Sequence, residues 1–333
     1  MEVKYQNLTF STELNVSDVQ YILDNSRDTN VLQSLEYVKV WKKLGANIIT
    51  IIGYYKNIPS SLIVGRYLNM FNLARTLSIG GLGGGCPIVI DCFQGNDRLK
   101  IQEYTIEQLD KTLKDINVGT VYIYPPLYSD ETMFNLIESK GYEKIPDYTP
   151  ILDISKDTDT LWKNLNKKHR NAIRYAIKNN VEIKKSNSKQ EFDQFYEILV
   201  QTSKRGNFKA PPYKTLLTEF EVYAQAQLCD IWIAKHDEKS ISGAFIWKYK
   251  NNINYVYGGS LKESWSIKAN NLLHWKIIEE YHQEGYKVYN MWGAVKDESN
   301  PAYGVTDFKM RFGCHLIECP KFEKINKKWL SLF

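Results

Sequence analysis

The strongest constraint in this chain is a run of three strand-like segments with almost nothing between them. Leu228 to Lys235, Ile241 to Lys248 and Ile253 to Tyr257 are rich in β-branched and aromatic residues. The linkers, His236-Asp237-Glu238-Lys239 and Tyr249-Lys250-Asn251-Asn252, are short and polar. This spacing predicts an antiparallel meander. A helix follows from Asn270 to Gln283, with an asparagine cap and Gly285 as its stop. Then come a strand, Lys287 to Trp292, a short helix, Val305 to Phe312, and a strand-like tail. Ahead of the meander, Thr158 to Lys178 reads as one long helix, with Leu161, Leu165, Ala172, Ile173, Ala176 and Ile177 on its core side. Ser188 to Lys204 reads as another, opened by Ser188 and carrying Phe192, Phe195, Ile198 and Leu199.

The first 150 residues also alternate strands and helices. Asn47 to Tyr55, Ser60 to Tyr67, Leu77 to Gly80, Ile88 to Cys92 and Thr120 to Tyr124 read as strands. Asp18 to Ser26 (with Ser17 as cap), Thr105 to Asn117 and Ser129 to Lys140 read as helices. This half looks like a degenerate copy of the second. At about 150 residues per domain, the 333 residues suggest two domains, 1–148 and 149–319.

Composition narrows the classes. Hydrophobic residues at 43% and charged residues at 24% exclude a disordered or collagen-like chain. No apolar run reaches about 18 residues, so no stable membrane insertion is expected. The first residues, Met1-Glu2-Val3-Lys4, carry no apolar signal core. The five cysteines are scattered, without a Cys-x-x-Cys pair, and no two histidines stand at metal-ligand spacing. The expectation is reduced thiols, a cytoplasmic protein and no bound metal or cofactor. The glycine run Gly80 to Gly85 precedes a strand rather than a helix and has no Gly-Lys-Ser/Thr. It therefore reads as a close backbone approach rather than a phosphate loop.

Four stretches could carry chemistry. Lys167, Arg170, Arg174 and Lys178 step by three, four and four, which places them on one helical stripe. The stripe is a solvated face or a contact for phosphate or an RNA backbone. Tyr255-Val256-Tyr257-Gly258-Gly259-Ser260 ends the meander with two small residues, against which a ligand could lie. Asn290-Met291-Trp292-Gly293 ends the next strand, with Trp292 as core or ligand platform. In Gly304 to Gly313, Phe308 and Phe312 share a face, and Lys309 is either a desolvated, directed cation or an exposed lysine.

Taken in order, these segments resemble the FemABX family of non-ribosomal aminoacyl transferases. The element order of the second half matches the GNAT acyltransferase fold. The resemblance rests on Leu161 to Leu165 running into Lys168 to Arg174, on Tyr257 to Ser260, on Asn270 to Trp275 (with Asn271 on the donor side), and on Gly304-Val305 with Phe308-Lys309. It implies an α+β architecture of two tandem GNAT-like domains with a cleft between them, the tail 320–333 returning to the first. It also implies an aminoacyl-tRNA donor and an amine of a cell-wall precursor, or another amine, as acceptor. Lys309 matches the family lysine that stabilises the tetrahedral intermediate, with Phe308 beside it. Lys39, Lys42, Arg205 and Lys209 fall near family positions linked to precursor phosphates.

The chain departs from the family pattern in three places. Lys178 to Pro211 leaves no room for a coiled-coil arm, Tyr124-Pro125-Pro126 lacks the acidic residue before proline, and Cys86-Pro87 replaces a glycine-proline pair. Two other readings compete. One is an acyl-CoA-dependent N-acyltransferase acting on an amino sugar or other small amine, although Leu261 to Ala269 lacks pyrophosphate-wrapping glycines. The other is a non-catalytic binding protein.

Overall fold

The computed structural model describes residues 5–67, 75–116 and 118–326. The chain divides into two compact units. The first comprises the chain up to Asp147 and the segment from Glu318 on; the second is Tyr148–Ile317.

The first unit is built on β1 (Leu8–Ser11), β2 (Asn47–Tyr55), β3 (Ile58–Tyr67), β4 (Arg75–Ile79), β5 (Ile88–Val89), β6 (Val118–Ile123) and β7 (Glu143–Ile145). Its last strand, β15 in chain order, is Lys321–Ile325. The sheet runs β1-β2-β3-β4-β6-β15-β7, and β5 pairs with β3. Neighbours are antiparallel except β4 and β6. The residues beyond Asn326 lie outside the described chain.

The helices are α1 (Val16–Asp24), α2 (Leu35–Lys43), α3 (Gly95–Ile116) and α4 (Glu131–Ser139). Helix α1 starts before Ser17, because Asn15 Oδ1 accepts the Asp18 N–H. Helix α3 begins ten residues earlier than its apolar periodicity indicates; its first turns are polar, and Ile101 is their buried anchor. In the glycine run, a Cβ on Gly85 would lie 1.8 Å from the Tyr124 carbonyl oxygen. The Cys86 N–H donates to that same oxygen at 2.9 Å. The glycines therefore let one backbone rest on another.

The second unit contains β8 (Tyr148–Asp153), β9 (Glu182–Ser186), β10 (Cys229–His236), β11 (Lys239–Tyr249), β12 (Asn252–Ser260), β13 (Val288–Asn290) and β14 (His315–Glu318). The order is β14-β8-β13-β12-β11-β10-β9. The meander β10-β11-β12 is antiparallel, as its short polar turns require. The helices are α5 (Thr158–Asn164), α6 (Lys167–Lys178), α7 (Lys189–Gly206), α8 (Tyr213–Gln225), α9 (Glu263–Ile267), α10 (Ala269–Gln283) and α11 (Tyr303–Met310).

Both faces of the sheet are covered. Trp232, Ala234, Ala244 and Ile246 pack with Ile173 of α6 and Leu273 and Ile277 of α10. Phe245 points the other way, onto Phe195 of α7 and Phe220 of α8. Continuous apolar runs in β10 and β11 are what such two-sided burial demands.

Three expectations need correction. The single helix Thr158 to Lys178 is two helices. Leu165 is extended, and Asn166 opens the second helix by accepting the Lys168 N–H at 2.9 Å. Ile177, expected on the core side, is exposed. Helix α10 has no asparagine cap: Lys268, with left-handed backbone, precedes it, and Asn270 Oδ1 is taken by the Ser242 hydroxyl.

The two units share one plan. In each, an antiparallel three-strand meander (β2-β3-β4, β10-β11-β12) leads through a long helix (α3, α10) to a parallel neighbour (β6, β13) of its last strand. This is a tandem arrangement of GNAT-like α+β folds.

Candidate active site

The parallel pairing of β12 and β13 ends at Asn254 and Asn290. Strand β12 continues to Ser260 while the other chain leaves. The departure is fixed by Trp292, whose φ of 58° is left-handed. Asn290, buried, holds that turn by accepting the Trp292 N–H at 2.8 Å and the Thr149 hydroxyl. The edge of β12 from Tyr255 to Ser260 is thereby released from its parallel neighbour. Such a point of strand divergence is a natural place for a ligand.

Lys309, the buried cation of α11, reaches this point. It is only 6% exposed. Its Nζ donates to the carbonyls of Trp292 (2.8 Å) and Gly293 (2.7 Å), which the left-handed turn presents together. An ammonium has three N–H donors; among the described residues, no third acceptor lies within hydrogen-bonding reach. Burial pulls the Lys309 pKa down to about 8, with Cys314 opposing slightly. The Tyr255 ring lies 5.9 Å from Nζ. Burial pushes the Tyr255 phenol up to about 12, so it stays protonated.

Behind Lys309 is an aromatic wall. Phe308 and Phe312 stack edge-on, 5.3 Å apart, and hold two imidazoles. His169 contacts both rings, and its Nε2 bonds the Phe308 carbonyl oxygen at 3.0 Å. His274, 1% exposed, stands between Tyr255, Phe308 and Phe312, with Nδ1 on the Tyr289 hydroxyl at 2.9 Å. Burial, then Lys309, then His169 push the His274 pKa down to about 3. Burial also lowers that of His169.

Both imidazoles are therefore neutral in the working range and protonate more readily once unfolded. Stability from them is full above the ordinary 6.5 and is lost as pH falls toward 3. Denaturation midpoints followed from pH 7 to 4 should fall, and His274→Phe should flatten that slope.

The predicted donor residues are placed as follows. Gly258 lies under Tyr255: a Cβ there would meet the phenol oxygen at 1.6 Å. Gly258→Ala should displace Tyr255, lowering turnover at a stability cost of about 1–3 kcal/mol; turnover and thermal unfolding measured together check this. Gly259 is pressed against Ile198 of α7 and gives its carbonyl to Ser242. Tyr257 packs near Phe245. Ser260 is held at every polar atom: N–H to Thr202, carbonyl from Thr202 and Arg205, and hydroxyl from the Trp265 indole. Asn271 is buried in the first turn of α10. Trp292 meets Trp247 edge-on, 5.9 Å apart.

The basic stripe is partly internal. Arg170 donates to the carbonyls of Lys163 and Leu165 at the end of α5. Arg174 lies over Trp162, while Lys167, Arg174 and Lys178 are exposed. Lys39 and Lys42 are exposed on α2 of the first unit. The sequence motifs include Tyr255 and Asn290 only as strand-end residues without a role of their own, and they give no site role to His169, His274 or Tyr289. Their one signal is the pair of histidines on otherwise amphipathic or apolar helices.

Residues 165–310 match the family model of the GNAT acetyltransferase domain. No curated protein matches the chain by sequence. Among solved structures, FemX is similar at a TM-score of 0.77 and 14% identity, covering 97% of this chain and 99% of that one. A tandem GNAT protein from the clavulanic acid pathway gives 0.61 and 10%, covering 96% and 98%. L-PGS from Bacillus licheniformis gives 0.59 and 13%, covering 97% and 96%. The chain thus has the FemX-like tandem GNAT fold, and the domain match lies within its second unit. No helix among the described residues is long and apolar enough to cross a membrane.

Proposed function

We propose that the protein is an aminoacyl-tRNA-dependent transferase that forms an amide between an amino acid and an amine of a cell-wall precursor. The observation that carries this is Lys309: a buried ammonium, tethered by two backbone carbonyls at the divergence of β12 and β13. The order of motifs and the fold shared with FemX support the same reading.

An aminoacyl ester is already activated, so no covalent enzyme intermediate is needed. The neutral acceptor nitrogen attacks the ester carbonyl carbon, and a C–N bond forms. The carbonyl oxygen becomes an oxyanion, which the remaining N–H of Lys309 stabilises. Collapse breaks the C–O bond to the ribose. The leaving oxygen takes the proton that the amine gives up, so Lys309 keeps its own. Its tethering means that little reorganisation is needed as charge develops. With a pKa of about 8, Lys309 is largely protonated at neutral pH.

The domain match at residues 165–310 favours a second reading, an acyl-CoA-dependent N-acyltransferase acting on a small amine. Against it, the segment before α10 folds as α9 and carries no glycine to wrap a pyrophosphate. The deciding experiment supplies a labelled, mixed aminoacyl-tRNA pool to the enzyme with extracted acceptors. Enzyme-dependent label in small molecules, abolished by ribonuclease treatment of the pool, is the expected result. Transfer from acetyl-CoA alone would replace this reading with the second.

A further inference from the structure

Trp265, beside the proposed donor strand, is the most exposed tryptophan among the described residues, with 53% of the residue open. It is not loose. Its indole N–H donates to Ser260 Oγ at 3.3 Å, at the end of β12. The Arg205 guanidinium lies 4.8 Å from its ring centroid, and the same guanidinium donates to the Ser260 carbonyl at 2.8 Å. Arginine, tryptophan and strand end thus form one closed set of contacts. The cation stands over one aspect of the indole, the N–H edge is turned to Ser260, and about half of the residue is open. Lys262 and Lys268, both exposed, bracket the short helix that carries it. Glu263 between them is paired with Lys239.

A large apolar ring open to water costs free energy unless something covers it. A rotamer fixed in advance lowers the entropy cost of covering it. A fixed aromatic face among cations is the arrangement on which unpaired nucleobases stack, the cations meeting the backbone phosphates. A protein or lipid partner would require a wider apolar surface than one indole.

We propose that Trp265 is a stacking seat for a nucleobase of the acyl donor. The inference rests on the aminoacyl-tRNA reading above, and distance sharpens it. From Tyr255, beside Lys309, to Ser260, beside Trp265, the strand advances about 17 Å at 3.3–3.4 Å per residue. The ester of an aminoacyl-tRNA sits on the terminal ribose itself, so the terminal adenine must stay close to Lys309. The base at Trp265 is therefore one upstream in the single-stranded end, and the part of β12 released from β13 marks the span between. In coenzyme A, by contrast, a long pantetheine arm separates the acyl group from the adenine, so its own adenine would reach the seat. The shared chemistry is a purine or pyrimidine face; the source is what the test separates.

Binding of the RNA tetramer 5′-ACCA-3′ and of coenzyme A is measured by calorimetry for the wild type, Trp265→Ala and Trp265→Phe. Loss of RNA affinity by about five- to hundredfold in Trp265→Ala, largely restored in Trp265→Phe, is expected. The kcat/KM ratio of aminoacyl-tRNA to aminoacyl-adenosine, which lacks upstream bases, should fall by the same factor. If the wild type binds coenzyme A and not RNA, and Trp265→Ala weakens that binding by such a factor, the seat stands and the tRNA reading fails. Equal affinity of wild type and a folded Trp265→Ala for whichever donor binds would overturn the seat. So would equal loss of kcat/KM on both aminoacyl substrates, which marks a structural role.

Discussion

Lys309→Met is expected to lower turnover by about 10²–10³-fold, the usual loss when one donor to a developing oxyanion is removed. The fold should not suffer with it. A lysine held at a pKa of about 8, against an ordinary 10.5, binds its proton less tightly folded than unfolded. Its charge opposes folding at neutral pH by about 3 kcal/mol, and stability from this group rises as pH climbs from about 8 to 10.5. Methionine removes that cost, offset by whatever the Trp292 and Gly293 carbonyls lose.

Activity down and stability held or raised is the signature of a group placed for function. Steady-state rates and urea denaturation of the same preparations read both. The pH profile separates two roles for the amine. As a cation on the oxyanion, Lys309 makes kcat/KM fall above about pH 8; as a proton acceptor, it would make it rise there. Turnover unaffected in Lys309→Met would remove the proposed mechanism.

The largest effect on stability is expected in the first unit. Gly85→Ala places a methyl group 1.8 Å from the Tyr124 carbonyl oxygen, a backbone atom that cannot rotate away. Either the glycine run or the end of β6 must move, and the Cys86–Tyr124 hydrogen bond goes with it. A cost of about 3 kcal/mol or more follows. Gly95→Ala is the matched control. Its φ is also positive, at 52°, but nothing lies within 4 Å, so about 1 kcal/mol of backbone strain is all it should show. Denaturant midpoints that ranked the two the other way would refute the packing argument.

Element order was legible where one local signal dominated. The strands of the meander are bounded by polar turns, so Cys229–His236, Lys239–Tyr249 and Asn252–Ser260 fall within a few residues of their apolar runs. Other boundaries depended on competition between neighbours. Nothing local says that Asn166 will interrupt a helical pattern, since Leu165 and Asn166 can both be helical. Asn270 would cap α10 if Ser242, on another strand, did not take its oxygen. Helix α8 escaped notice although Leu216, Phe220 and Tyr223 stand at helical spacing, because two prolines precede it.

The site divides the same way. Lys309 and Phe308 could be picked from a linear motif. The clamp on Lys309 could not, because it joins two carbonyls, a left-handed tryptophan, Asn290 and Thr149. Main-chain acceptors carry no residue-type signature, and the wall behind them draws on α6, α10 and α11 at once.

The placement of β15 bears on how the chain is made. This strand lies between β6 and β7, paired with both, and it follows the whole of the second unit in sequence. On a ribosome, which releases the chain from the N-terminus onward, the first unit emerges first and finishes last. Until Lys321–Ile325 has been synthesised, β6 and β7 have no strand between them, and each presents unsatisfied backbone groups, a known liability for wrong pairing. The second unit has all its strands in hand before that slot is filled. Completion of the first unit thus waits on residues made after those of the second, and Phe322, whose ring packs on Phe134 in the first core, is among them.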